Sequence, residues 1–357
     1  MPVFDYGNAR LRAMKSRLLS RQEMEALAEA GSLNGLIAAL TKTPYRKPIE
    51  SALTRTSGMN CIANALRDDL VDTLGKILSF YRDEAYDMVI IVLRNYDLHN
   101  LKGILRGLSH HVTPSEILST LIPVGELKSD LLAELARLPD PRAAIDLLAS
   151  INSPFAQPLL KLRAEQPGAD VSRMELALEQ WSISQSKHFL ESEHQDGKIL
   201  SNAINLDADL ANLLTVLRFA QTPEERKRIH EWLGEDNLFS LLLGPGSISF
   251  NLLIQAGMQD TLDAAIETFA KTVYEVPLRS GLEAYAQSNR LSDIERQLRR
   301  FRLGWMSEKI QSDPLGIGVV LGYSALKVNE VGNLRWIAQG TNLGLNAESI
   351  RASLEFV

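Results

Sequence analysis

The chain has 357 residues, of which 45% are hydrophobic and 23% charged, and its formal net charge is −6 at pH 7. This balance is typical of a globular protein with a sizeable core and disfavours intrinsic disorder. Because nucleic-acid-binding domains usually carry clustered basic residues, the acidic balance argues against a nucleic acid partner. The single cysteine, Cys61, excludes an intramolecular disulfide and any multi-thiolate metal site.

The first residues and the longest apolar runs give no sign of membrane insertion. The basic residues Lys15 and Arg17 are not followed by the apolar stretch that a signal peptide needs. The longest apolar runs, at residues 88–93 and 317–321, are far shorter than the ~20 residues that span a bilayer. We expect a soluble chain without direct bilayer insertion, in which any membrane association goes through a partner.

Helical periodicity dominates the chain. One buried helix face, for example, is predicted where apolar residues follow a three-and-four spacing, at Leu127, Leu131, Leu132, Leu135 and Leu138. Basic runs at residues 10–17 and 296–302 also carry apolar residues at helical spacing, which favours solvated helix faces. Helix starts are predicted at residues 113–116 and 222–225, where a Thr N-cap precedes Pro and then Glu at the third helical position. The sequence therefore predicts an all-α fold.

An internal repeat organises the chain. Its pattern is an acidic residue, two variable positions, Asn-Leu, two more positions and a β-branched residue. Three copies occur, and their first residues lie 112 and 121 positions apart. The acid and the asparagine of the three copies are Asp97 and Asn100, Asp209 and Asn212, and Glu330 and Asn333. The repeat predicts three helical units, which we place at residues 1–110, 111–220 and 221–357.

The acidic residue and the asparagine of each copy lie three positions apart, so they share one face of a predicted helix beside the apolar stripe. Asparagine costs several tenths of a kcal/mol relative to alanine inside a helix, so its return suggests a use for the amide. A side-chain amide donates twice and also accepts, which suits it to fixing neighbouring segments. The pair is interpreted either as fixing the packing of each unit or as facing a partner.

Histidines offer only weak candidates for a metal site. His110 and His111 end a predicted helix and have no carboxylate set beside them, so a surface or capping role is favoured. His188, Glu191 and His194 lie three apart on one predicted helix, which differs from the four-residue His spacing of helical zinc hydrolases. The sequence therefore predicts no bound metal.

Signatures of nucleophilic chemistry and phosphate binding are equally weak. Ser184 and Lys187 match the Ser-x-x-Lys spacing of one acyl-transfer family, but the other motifs of that family are absent. The glycine-rich run at residues 316–322 has the wrong spacing for a dinucleotide loop, so its glycines are predicted to let helices approach closely. Cys61 is predicted to pack in the core. We expect no active site and no cofactor.

The most specific resemblance lies near the end of the chain. Residues 313–340 read DPLGIGVVLGYSALKVNEVGNLRWIAQG. This segment resembles the C-terminal signature of the C subunit of the V/A-type ATPases, the counterpart of the d subunit of the eukaryotic V-ATPase. The opening pattern of Tyr6, Asn8 and Arg10 and the motif copy at residues 97–106 also look like this family, so the resemblance spans the chain.

The resemblance implies a funnel-shaped body of three pseudo-threefold-related helical units that has no active site. Such a funnel would sit on the membrane proteolipid ring and receive the central shaft of the catalytic head, so that rotation links ATP turnover to proton or sodium transport. Its location would be cytoplasmic and peripheral to the membrane. Four arginines within or beside the motif are candidates for contacts with these partners, although salt bridges inside each unit are an equal alternative: Arg94, Arg106, Arg218 and Arg335.

Two other functions stay open at this point. A helical-repeat scaffold unrelated to rotary motors would stack open-ended units, whereas a rotor socket would close three units around a central opening. An all-α hydrolase would need Ser184 and Lys187, or a metal held by His188 and His194, to converge in one pocket.

Overall fold

The computed structural model describes residues 3–190, 195–224, 226–228 and 240–357, and within these ranges all regular secondary structure is helical. The all-α prediction is therefore confirmed for the described residues. The chain divides into two compact bodies. The terminal body comprises Met1–Leu147 and Met306–Val357, and the middle body comprises Leu148–Trp305.

The helices of the first part of the chain are α1 (Asp5–Lys15), α2 (Arg21–Leu27), α3 (Leu33–Leu40), α4 (Arg46–Leu53), α5 (Gly58–Ser79), α6 (Asp83–Ser109), α7 (Pro114–Thr120) and α8 (Ser129–Leu135). They are followed by α9 (Pro141–Ser150), α10 (Ala156–Glu165), α11 (Val171–Phe189) and α12 (Gln195–Gln221). The last described helices are α13 (Phe250–Gly257), α14 (Leu262–Glu267), α15 (Glu275–Ser288), α16 (Ser292–Ser312), α17 (Gly318–Asn342) and α18 (Ala347–Ala352).

One series of helices occurs three times among the described residues. Three shorter helices are followed by a long helix of 22, 19 or 21 residues, and this long helix is followed by the helix that carries the repeated motif, with 27, 27 or 25 residues. The series are α2 to α6, α8 to α12, and α13 to α17. The sequence repeat thus has a counterpart in the order and lengths of the helices. The unit boundaries at residues 110 and 220 and the funnel shape stay predictions.

Helix caps form where the sequence indicates them. Thr113 accepts a hydrogen bond from the backbone N–H of Glu116, whose carboxylate accepts the Thr113 backbone N–H in return, so α7 begins with a capping box. Asn346 caps α18 by accepting the backbone N–H of Ser349 at 2.8 Å. The predicted start at Thr222 cannot be followed in full, because Glu225 lies outside the described residues.

The core of the terminal body is built around α17, which packs against α1, α2, α3 and α5. The glycine-rich run serves this packing, as predicted. A Cβ on Gly322 would lie 2.4 Å from Cγ1 of Ile310 and 2.7 Å from the backbone oxygen of Met306, so only glycine lets α17 lie this close to α16. Asn8 ties α1 to the same region, because its side chain donates to the Gly316 carbonyl oxygen at 2.9 Å.

The middle body has a core of its own. Fully buried Leu213 and Leu217 of α12 pack in one hydrophobic cluster with Leu253, Phe269 and Leu278 of the three helices and loops that follow. Each such leucine contributes about 1.5–3 kcal/mol relative to an exposed one. The apolar face of the motif helix α12 therefore packs in this core, and the polar motif residues lie at the edge of the core.

Candidate functional site

The first copy of the motif holds one loop by two side chains. The Asp97 carboxylate is fully buried and accepts the backbone N–H groups of Glu126 at 2.8 Å and Leu127 at 3.0 Å. The Asn100 amide donates to the Ile122 carbonyl oxygen at 2.8 Å and accepts the N–H of the same residue at 2.7 Å. We call this arrangement, in which the acid and the amide of one motif copy both bind backbone groups outside the motif helix, an acid–amide clip.

The second copy forms the same clip in the middle body. Asp209 accepts the backbone N–H groups of Ser247 at 2.9 Å and Ile248 at 3.1 Å. Asn212 accepts the N–H of Leu243 at 2.8 Å and donates to the carbonyl oxygen of Gly244 at 2.9 Å. Both side chains are fully buried, so the clip replaces water around four backbone groups with protein partners.

The third copy forms its clip from two separate segments. Asn333 accepts the N–H of Glu355 at 3.0 Å and donates to its carbonyl oxygen at 2.8 Å. Glu330, however, accepts the N–H of Leu19 at 2.5 Å, so the acid binds a segment 311 residues away in sequence. Since Ser20 caps α2 as Ser249 caps α13, Leu19 occupies the position that Ile248 occupies in the second clip.

Two glycines allow the aspartates to approach their loops. A Cβ on Gly125 would lie 2.1 Å from Oδ2 of Asp97, and one on Gly246 would lie 2.0 Å from Oδ1 of Asp209. Any other residue would displace the loop or the carboxylate. In the third clip the corresponding position is Arg17, two residues before Leu19, and the acid there is a glutamate. The longer side chain of Glu330 reaches the N–H of Leu19 although Arg17, unlike a glycine, carries a Cβ.

Buried tyrosines complete two of the clips. The Tyr274 hydroxyl donates to Asp209 at 2.8 Å, and the Tyr45 hydroxyl donates to Glu330 at 2.6 Å. Burial, followed by the neighbouring carboxylate, raises the pKa of both tyrosines well above the usual value, so each stays a hydrogen-bond donor. Sequence reasoning missed these residues. Their signal is a second short repeat, Thr-x-Tyr-x-x-Pro, at residues 43–48 and 272–277.

The third clip also contains a buried cation. Nζ of Lys327 lies 2.7 Å from Glu330, 2.8 Å from the Tyr45 hydroxyl and 2.8 Å from Asp69. Lys327 stands three residues before its acid, as Arg94 stands three residues before Asp97. Because a buried charge is costly unless it is paired and hydrogen-bonded, this cluster depends on every member being present.

The buried carboxyl of Asp97 in the first clip has a shifted pKa. Burial raises the pKa of Asp97 to about 6, while the two N–H groups that it accepts act in the opposite direction. The desolvation cost of this carboxylate therefore exceeds the stabilisation from its hydrogen bonds near neutral pH. The interactions of the clips consist of hydrogen bonding to loop backbone and of charge pairing.

The chain is similar to known proteins over nearly its whole length. The family described as ATP synthase (C/AC39) subunit matches residues 7–353. The chain belongs to this family. Among curated relatives, the A-type ATP synthase C subunit of Methanococcoides burtonii is 25% identical over 354 residues, which cover 98% of this chain and 94% of the relative. The corresponding C subunit of Pyrococcus abyssi is 24% identical over 352 residues, covering 98% and 89%, respectively.

Membership of the ATP synthase (C/AC39) family leaves the four candidate arginines as predictions, and the structure shows their surroundings. Arg94 pairs with Glu126 of the clipped loop at 3.2 Å, and its side chain is only 15% exposed. Arg106 and Arg335 are exposed on motif helices of the terminal body, and Arg218 is exposed on the motif helix of the middle body.

The weaker chemical candidates do not form a site in the described residues. Lys187 donates to the carbonyl oxygen of Pro245, and Ser184 is exposed. No group of metal-ligating side chains occurs in the part of the chain that the structure describes, and Glu191 and His194 lie outside it. Cys61 is fully buried, which raises the pKa of its thiol and makes it unreactive.

The same described part of this C/AC39 family member has no helix with the length and hydropathy needed to cross a membrane.

Proposed function

We propose that this chain is a non-catalytic central-stalk subunit of a V/A-type ATPase, in which it couples the central shaft of the catalytic head to the membrane proteolipid ring. The observation that carries the proposal is the family match over residues 7–353, together with relatives that are A-type ATP synthase C subunits over nearly their whole length. Rotation would then drive proton or sodium transport, or ion flow would drive ATP synthesis.

The clips support a mechanical role. A subunit that transmits torque has to keep its loops in fixed positions, because a loop that shifts under load would let the joint slip. Each of the first two clips fixes its loop at both ends, because the loop backbone hydrogen-bonds to side chains that are themselves buried on a motif helix. These buried networks are fully bonded, which favours one rigid arrangement over several.

The proposed assembly is a funnel of three units around a central opening. The chain would be peripheral to the cytoplasmic face of the membrane sector, with the shaft subunits on one side and the proteolipid ring on the other. A joint that holds both under load should bury on the order of 2,000 Å² or more. The ring-facing surface should be polar, because it would meet the loops of the ring rather than lipid.

Affinity purification from the native membrane tests the assembly. Tagged full-length chain should recover catalytic, shaft and proteolipid subunits, identified by mass spectrometry. Recovery without any of these subunits would overturn the proposal and favour a helical-repeat scaffold that is unrelated to rotary motors.

Removal of the chain tests the coupling role. In membranes from a deletion strain we expect ATP-driven ion pumping to be lost, while detached heads still hydrolyse ATP, because the catalytic groups belong to other subunits. Adding back the purified chain should restore pumping. Pumping that persists without the chain would contradict a coupling role.

A further inference from the structure

The third clip joins two segments of the terminal body that are far apart in sequence. We call residues 17–29 the upstream segment and residues 351–356 the downstream segment. Leu19 of the upstream segment donates its N–H to the acid of the motif, and Glu355 of the downstream segment bonds to the motif asparagine through its N–H and its carbonyl oxygen. Both segments are therefore held on α17, by motif residues that lie three positions apart.

The two segments also contact each other directly. Nε of Arg351 donates to the Glu25 carbonyl oxygen at 3.3 Å, and its guanidinium also pairs with the Glu29 carboxylate. The Arg21 guanidinium lies 5.1 Å from the centre of the Phe356 ring. Because the side chains of Arg21 and Glu29 are mostly exposed, each of these contacts contributes about 1 kcal/mol or less. Together they make each segment part of the surface that holds the other.

The motif residues that bind the segments are costly to leave without partners. Glu330 and Asn333 are only 5% and 6% exposed, and Nζ of the buried Lys327 lies 2.7 Å from Glu330. A buried group that loses its partner while its surroundings stay closed costs about 1–3 kcal/mol, and more when it is charged. Water replaces the lost hydrogen bonds only when both segments leave the helix. Opening of one segment alone is therefore less favourable than opening of both.

The first two clips differ in how their bonded groups are connected. In these clips the groups that bind the motif lie within residues 122–127 and 243–248, so a released group stays near its partner and rebinds. In the third clip no short connection ties one segment to the other. What joins the segments is their shared attachment to α17 and the contacts between them.

We propose that the third clip is a clasp, in which the upstream and downstream segments detach from α17 and rejoin it as one unit. The terminal body then opens first at the clasp, since breaking a few contacts locally requires less free energy than unfolding the core. Helices α5 and α17, which pack against each other, stay in place during this opening. The clasp is a property of the isolated chain and does not depend on the partners proposed above.

Hydrogen–deuterium exchange of the full chain, read by mass spectrometry, tests the clasp in the regime where exchange reports the opening equilibrium. Asn333→Ala removes both bonds to Glu355 and touches only the downstream segment. Ser20→Ala removes the side-chain cap of α2 and touches only the upstream segment. Asn100→Ala is the matched control, because it removes the same pair of bonds from the first clip.

We expect each clasp variant to accelerate exchange in both segments by the same factor, about tenfold for Asn333→Ala and about fivefold for Ser20→Ala. Peptides from the core of α5 and α17 should keep their natural rates. Asn100→Ala should accelerate exchange at residues 122–127 and leave both segments unchanged. Acceleration confined to the segment that a variant touches would overturn the clasp. Equal acceleration throughout the core would overturn it as well, since the segments would then open only by global unfolding.

Discussion

In the first two copies of the motif, one continuous loop supplies every backbone group that the acid and the asparagine bind, whereas in the third copy two segments from opposite ends of the sequence supply them. Residues 122–127 and 243–248 form the continuous loops. In the third clip, Glu355 and Leu19 take the same positions. The difference shows which contacts hold the two segments of the third clip together, where no continuous loop connects them.

What is added in the third clip is charge. A continuous loop brings its two clipped ends together at a modest entropic cost, because they are only a few residues apart. Segments that are distant in sequence lose more freedom on meeting, and further contacts offset that loss. They include the Lys327–Glu330 pair, an Arg351 bond to the Glu25 carbonyl oxygen at 3.3 Å, and the Arg21 guanidinium 5.1 Å from the centre of the Phe356 ring.

The largest effect is expected from Glu330→Ala. This change leaves Lys327 buried without its closest partner and releases the N–H of Leu19, so we expect a loss of about 3–5 kcal/mol in the free energy of unfolding. Urea denaturation of the full chain measures it. If charge closes the third clip, the double change Glu330→Gln with Lys327→Met should recover more than half of the loss. A single variant within about 1 kcal/mol of the natural chain would contradict the comparison.

The pH dependence of stability distinguishes the first clip. The folded chain holds the Asp97 proton up to about pH 6, whereas the unfolded chain loses it near the ordinary value of 3.8. Between these values the folded state binds more protons, so the contribution of Asp97 to stability is complete below pH 3.8 and is lost as pH rises through 6. The loss amounts to about 3 kcal/mol, at about 1.36 kcal/mol per unit of pKa difference.

Asp97→Asn isolates this contribution, because the amide cannot ionise. The unfolding free energy of the natural chain minus that of the variant, measured by urea denaturation from about pH 4 to about pH 7, should fall across this window and level off above it. A difference that is constant with pH would show that burial does not raise the pKa of Asp97.

Gly125→Ala tests the close approach that separates the continuous loops from the split one. The added Cβ would fall about 2 Å from the Asp97 carboxylate, so the loop must shift, at a cost of about 1–3 kcal/mol. Because the clash involves one side chain, adding Asp97→Ala should remove part of this cost, which a double-mutant cycle measures. Arg17→Gly is the matched change in the third clip, where we expect no gain in stability. Simple additivity of the Gly125 and Asp97 changes would contradict the assignment.

The sequence predicts the all-α fold because helices depend on local spacing. Apolar periodicity indicates the all-α fold, and the Thr113 cap forms as its residues indicate. The backbone groups that the motif residues bind could not be predicted from local spacing. They lie 22 to 39 residues after the motif residue that binds them, and in one case 311 residues before it. The roles of Gly125 and Tyr274 beside the motif aspartates become visible only when the segments that follow each motif copy are aligned with one another. Such an alignment requires knowing that these segments bind the motif residues.

The smallest effect is expected from the tyrosine of the second clip. Tyr274→Phe removes the hydroxyl that donates to Asp209 but leaves the two backbone N–H donors and the aromatic packing in place. We expect a loss of about 1.5 kcal/mol, the lower end of the usual range for a hydrogen bond to a charged group. Tyr45→Phe should cost more, because the Tyr45 hydroxyl also accepts from Lys327. Equal losses in the two variants, measured under the same urea conditions, would mean that the lysine adds nothing at this position. The third clip would then be closed by its backbone bonds alone, and the distinction between continuous and split loops would lie in chain connectivity rather than in charge.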